Sequence, residues 1–247
     1  MNTSECIRTR RSIRRYFDIP VPFEYITQIL DAGIHAPTAG NLQAIKFIIV
    51  TDEQKKLKIA DACMSQSWVS TAPVIIVICS EAEKLDRMYG LRGKKLYSTQ
   101  DCTCAAENML LEAHNLELGA CFVSAFENEP LADILDIPKD IIPMVIIPIG
   151  YPDEQVPKPS KYELRDVTFF NNWDNKDVST PWPLIKFANP IQKKTRQVGS
   201  KLKETIYNFI DNLNKKQKQS INKTDVDRRL GADHEHFIVK EKDNKGK

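Results

Sequence analysis

The chain has 247 residues, 42% of them apolar, with 35 Lys and Arg against 33 Asp and Glu and a formal net charge of +2. That length allows one large domain or one domain with an appendage, and the apolar content is ample for a core. No apolar run approaches the ~18 residues a membrane span needs, and no leader-like apolar stretch opens the chain, so a cytoplasmic protein is expected. The charge is unevenly placed: residues 1–180 are net acidic and residues 181–247 net basic. This suggests an acidic body over 1–180 and a basic extension over 181–247.

Taken in order, the chain opens with a short helix that Thr3 or Ser4 could cap, leading into Arg8, Arg10, Arg11, Arg14 and Arg15. Such a cluster suits a solvated surface, a nucleic-acid patch or, with Ser12 among the guanidinium forks, a phosphate monoester. Pro20 and Pro22 introduce a helix over Phe23–His35, where Ile26, Ile29, Leu30 and Ile34 recur at helical spacing. The stretch Ala36-Pro37-Thr38-Ala39-Gly40-Asn41-Leu42-Gln43 then breaks the pattern. Pro37 disfavours helix in the residue before it, Gly40 permits unusual backbone angles, and Asn41 and Gln43 each offer a donor and an acceptor. This loop suits either an ordinary helix-to-strand turn or the edge of a flat heteroaromatic ring such as a flavin.

A strand is expected at 46–51 and a charged helix at 54–62. Pro73–Cys79 is the strongest strand signal: it is apolar on both faces and is expected at the centre of a covered sheet. Residues 81–96, with Gly90 and Gly93, read as a lid or an irregular helix. A long apolar helix should run from Ser98 to Leu118 and stop at Gly119. Strands are expected over 120–126 and 144–149, a short helix over 130–135, an extended Pro-rich connector after Gly150, and a terminal strand over 167–170. Helices between strands point to an α/β or α+β sandwich.

The pairing of Arg10-x-Ser12-x-Arg14 with Pro37-Thr38-x-x-Asn41-x-Gln43 resembles the FMN-dependent nitroreductase family. Tyr89-Gly90-Leu91-Arg92-Gly93, Gly119–Phe126, Pro148-Ile149-Gly150-Tyr151-Pro152 and Lys158-Pro159-Ser160-Lys161-Tyr162 agree with later family segments. Two departures stand out: Ser124 where glycine is usual, and Ser160 or Lys161 where an arginine is usual. The resemblance spans about residues 5–173. It implies an α+β fold, a three-layer α/β/α sandwich with a mixed sheet, in an intertwined homodimer. It implies FMN, with Arg10, Arg11, Ser12 and Arg14 on the phosphate, completed by Lys158 and Lys161. Pro37, Thr38, Ala39, Asn41 and Gln43 would read the ring, while backbone at Val123, Ser124 and Ala125 would approach its redox-active edge. NAD(P)H would be the reductant, and a nitroaromatic, quinone or similar conjugated acceptor would follow it in a ping-pong reaction. No side chain is needed as a catalyst, because the cofactor carries the electron transfer.

Tyr89, Arg92, Tyr97 and Phe126 are candidates for the acceptor pocket, with surface or core packing the alternative. Asp101 could be a pocket or interface acid, or a favourable charge near a helix N-terminus. His35 and His114 are read as packed or rim histidines. Cys102 and Cys104, two apart on a helix, point different ways and read as core thiols, and no metal site is expected. His234 and His236 read as polar tail. Within the extension, Leu202, Ile206, Phe209, Ile210 and Leu213 form an amphipathic helical stripe among lysines. That stripe leaves a second function open: a flavin-fold binding or regulatory protein whose basic tail contacts nucleic acid or an anionic surface.

Overall fold

A computed structural model describes residues 1–176, which fall in two units, Met1–Ser160 and a second beginning at Lys161. The first unit is built on Val74–Ser80 (β2), buried at all its positions. Antiparallel partners flank it: Ile45–Val50 (β1) on one side and Ile142–Gly150 (β4) on the other, with Gly119–Ala120 (β3) beyond β4. A parallel bridge between Ser12 and Ala120 makes the sheet mixed.

Alternation along β2 sorts the core into two layers. Val74, Ile76 and Ile78 pack with Ile26 and Ile29 of Phe23–Ile34 (α2) and with Cys102, Ala106 and Met109 of Ser98–Asn115 (α5). Ile75, Val77 and Cys79 face the other way, onto Ile59 of Glu53–Ala62 (α3) and Leu131 of Asn128–Ile134 (α6). Each fully buried isoleucine here contributes roughly 1.5–3 kcal/mol of transfer free energy. The result is the expected three-layer α/β/α arrangement.

Local chemistry explains most element ends. Asn2, not Thr3 or Ser4, caps Thr3–Thr9 (α1): its side chain accepts the Glu5 N–H at 2.9 Å. Asp52 caps α3 in the same way through Lys55. The long helix stops earlier than expected, at Asn115. Glu117 takes the left-handed conformation (φ 63°), and Leu118 N–H bonds back to Ala113 O, so Glu117 does the work expected of Gly119.

Residues 81–96 form an irregular helix. Ala82–Arg92 (α4) is broken at Gly90 (φ 60°, ψ −157°), and a wide turn over Gly93–Tyr97 feeds directly into α5. The strand expected over 120–126 is only β3 plus a single bridge from Val123 to Ile146, because the chain leaves the sheet after Ala120 and touches it again once. In the second unit the expected terminal strand is absent among the described residues. Leu164–Val167 (α7) is helical, and Phe169 packs on Trp173 instead. The amphipathic stripe at 202–213 and His234 and His236 lie outside the described residues. Among those described, no helix is long and apolar enough to cross a membrane.

Candidate functional site

The arginine segment leaves α1 in extended form and is pinned along its length. Ile13 N–H donates to Ala120 O at 3.1 Å, and the carboxylate of Glu154 accepts the N–H groups of Arg14 at 2.5 Å and Arg15 at 3.1 Å. Gly119 makes this approach possible, since a Cβ there would lie 2.8–3.0 Å from Ile13 side-chain carbons. Burial raises the Cys121 thiol pKa, with Arg14 and Ser12 pulling it the other way, and Arg14 lies over Trp68 at 5.6 Å.

Arg10 and Arg11 are then left with buried Nε atoms that have no hydrogen-bond partner. Among the described residues Arg10 Nε has only the Glu107 carboxylate, at 3.9 Å, and Arg11 spends a terminal nitrogen on the carbonyls of Arg8 and Arg10. A buried donor left unmade costs about 1–3 kcal/mol. Two such donors on adjacent guanidinium groups fit a phosphate, whose oxygens supply the missing acceptors. Ser80 Oγ is the other buried polar atom without a partner among the described residues.

Burial lowers the His114 pKa, and the charges of Arg10 and Arg11 push it further down. Its ring meets the Thr9 hydroxyl at 2.8 Å, tying α1 to α5. Cys102 and Cys79 are pushed up to about 12 by burial, as expected of core thiols. Cys104 is exposed. His35 contacts its own helix, with Nδ1 2.8 Å from Asp31 O.

The Pro37–Gln43 turn is strained. Gly40, Asn41 and Gln43 all have positive φ, at 55°, 54° and 52°. The two side-chained residues each cost on the order of 1 kcal/mol or more in that conformation. Bonds within the turn fix its shape: Asn41 N–H to Thr38 O at 3.0 Å, Gln43 N–H to Thr38 Oγ1 at 3.2 Å, and the Gln43 amide to Asn41 Oδ1 at 3.3 Å. From outside, the Asp101 carboxylate accepts Ala39 N–H at 3.0 and 3.2 Å. The Tyr89 hydroxyl lies so close over Gly40 that a Cβ there would stand 2.2 Å from it. Asn41 and Gln43 stay exposed.

Tyr89 and Tyr97 meet edge to face at 5.3 Å, and Arg92 donates from Nε to the Tyr97 hydroxyl at 3.3 Å. These three candidates therefore form one wall beside the turn. Phe126 stands apart from them, packed on the α3–α6 side of the core. Val123 is bonded to Ile146, while Ser124 and Ala125 are exposed on the segment that continues from β3. Lys158 is exposed without a hydrogen bond or ion pair among the described residues, and Lys161 is exposed in the second unit. Sequence reasoning missed Glu154, Glu107 and the tie from Asp101 to Ala39. All act at long range, and only Asp101 carried a local signal. No cluster of three or more His, Cys, Asp or Glu among the described residues could hold a metal.

Comparison with known proteins decides the family. The sequence model of the nitroreductase family matches residues 7–71 and 64–151. The chain belongs to the nitroreductase family. It is 37% identical, over 158 residues, to a Methanothermobacter thermautotrophicus protein provisionally named NADH dehydrogenase/NAD(P)H nitroreductase, covering 62% of this chain and 79% of that one. It is 29% identical to the FMN reductase [NAD(P)H] of Bacillus subtilis, over 69% of this chain and 74% of the relative. Among solved nitroreductases, the FMN-dependent nitroreductase of Clostridium difficile superposes with a TM-score of 0.60 at 28% identity, covering 69% of this chain and all of the other.

Proposed function

We propose that this nitroreductase-family chain is an FMN-dependent oxidoreductase that passes reducing equivalents from NAD(P)H to a nitroaromatic, quinone or similar conjugated acceptor. The observation that carries the reading is the pair of buried guanidinium Nε atoms on Arg10 and Arg11 that have no hydrogen-bond partner among the described residues, on a segment that Ile13 bonds to Ala120. The names of the relatives support it.

FMN, when bound, supplies the chemistry: it takes two electrons from reduced nicotinamide and gives them up to the acceptor. The chain's own groups bind and orient. Arg10, Arg11, Ser12 and Arg14 grip the phosphate, with Lys158 adding charge. Pro37, Thr38, Ala39, Asn41 and Gln43 present amides and a closely approaching backbone to the ring; Ser124 and Ala125 present main-chain N–H groups to its reactive edge, and Val123, bonded both ways to Ile146, holds that segment to the sheet. Ser124 is small enough to keep that approach. Tyr89, Arg92 and Tyr97 form the wall an acceptor lies against; Phe126, packed on the α3–α6 side of the core, takes no part in it. One flat site serves donor and acceptor in turn, so turnover is ping-pong.

The site belongs to a homodimer. Asp101 and Glu107, the α5 residues that meet the turn and the arginine segment, are six positions apart, about 9 Å along the helix and about 240° around it. The two segments therefore dock on different faces of α5, an arrangement that suits a homodimer in which a partner copy brings the second segment to each phosphate clasp.

The test is anaerobic titration of the purified yellow protein with NADH and with NADPH, followed by a panel of acceptors. Bleaching of the flavin band and parallel initial-rate lines are expected. A colourless protein that takes up no added FMN removes the reading.

A further inference from the structure

We propose that Asp101 is the positioning residue of the flavin-reading turn: its carboxylate, seated on the central helix, holds Ala39 N–H and so sets where Asn41 and Gln43 stand. The proposal rests on the FMN reading for its functional meaning, but its geometry is independent of that reading. Asp101 is 6% exposed. Both its oxygens lie on the Ala39 N–H, at 3.0 and 3.2 Å, and it makes no other hydrogen bond or ion pair among the described residues.

A carboxylate is a poor choice for stability at this position. Burying it is costly, and one neutral donor returns less than the charge gives up. Desolvation raises its pKa, with the Ala39 bond pulling the other way. An apolar residue would pack the same helix position without that conflict. What the carboxylate provides is an anchor outside the turn. The internal bonds of residues 38–43 maintain three left-handed residues in a fixed shape, but they do not tie that shape to the sheet or the helix. Asp101 ties it to α5, the same rigid rod that carries Glu107 beside Arg10. Tyr89, over Gly40, closes the turn from another side.

The experiment compares the full chain with Asp101→Ala and Asp101→Asn in two measurements. In flavin-free protein, amide hydrogen exchange at Ala39 and at residues 41–43 should quicken at least tenfold in Asp101→Ala while α5 amides keep their protection. Asp101→Asn, which retains one acceptor oxygen, should fall between. In FMN-loaded protein, the visible circular dichroism of the bound flavin should change in Asp101→Ala, and its reduction by NAD(P)H should slow tenfold or more with a smaller change in FMN affinity. A merely structural role would lower thermal stability and leave the flavin spectrum alone. Unchanged turn exchange in Asp101→Ala overturns the proposal, as does an unaltered flavin spectrum with an unaltered reduction rate. If the parent chain takes up no FMN yet the turn is released in Asp101→Ala, the FMN reading fails and the clamp stands.

Discussion

At the scale of single residues, the site is defined by what is left unsatisfied. Among the described residues Arg10 has one distant carboxylate and a buried Nε without a hydrogen bond, and in the proposed site a phosphate is its partner. Arg10→Ala removes a charge-assisted contact worth about 1.5–3 kcal/mol, and the FMN dissociation constant should rise roughly 10- to 100-fold, read by flavin fluorescence. His114 offers a second readout. Burial and the nearby cations hold its pKa below the ordinary value, and a bound phosphate offsets the cations. Its pKa should therefore rise on FMN binding, followed by NMR titration of the ring. The sign for stability is the opposite of a paired histidine's. The unfolded chain binds the proton more readily, so this contribution is full above about pH 6.5 and is lost as pH falls through the depressed folded value. His114→Gln should flatten that acid limb of the stability profile.

At the scale of elements, packing separates glycines that serve the fold from those that serve the site. A Cβ on Gly119 meets branched carbons of Ile13, which is bonded to the sheet and precedes Arg14. Gly119→Ala should push the arginine segment outward, costing about 1–3 kcal/mol of stability and weakening FMN binding as well. A Cβ on Gly33 meets the ends of Phe47 and Met109 in the α2–α5 layer instead. Gly33→Ala should lower the melting temperature while leaving FMN affinity within about twofold of the parent, since nothing near Arg10 moves. Equal loss of FMN binding in both variants would sink this distinction. The same contrast explains what the sequence made legible. The continuous apolar run of β2 could only be a covered central strand, and the helical spacing of Ile26, Ile29 and Leu30 could only pack one way. The Arg10–Arg14 and Pro37–Gln43 motifs were visible because local chemistry writes them. The run from Ala120 to Phe126 misled because only Val123 returns to the sheet, through a single bridge, while Phe122 and Ala125 stay exposed. Asp101 stayed ambiguous because its partner lies 62 positions away.

At the scale of the whole molecule, the proposed homodimer builds each complete site from two copies. A chain lacking the phosphate clasp (Arg10→Ala with Arg11→Ala) and a chain lacking the turn amides (Asn41→Ala with Gln43→Ala) should each turn over poorly as homodimers. In a mixed dimer, the intact clasp of one copy meets the intact turn of the other, while the opposite site carries both defects. Unfolding the two together and refolding them should therefore restore activity to about one quarter of the parent level, the share of intact sites expected from random pairing in a twofold assembly. Simple co-incubation without subunit exchange should restore none. If each site were built from a single copy, every site in the mixture would carry one defect and refolding would recover nothing, which would overturn the shared-site arrangement while leaving FMN binding to the parent chain untouched. The basic extension enters at the same scale: removing residues after Thr180 should leave NAD(P)H-driven turnover per flavin unchanged. Loss of a salt-sensitive nucleic-acid affinity on that truncation would instead favour a binding role for the tail.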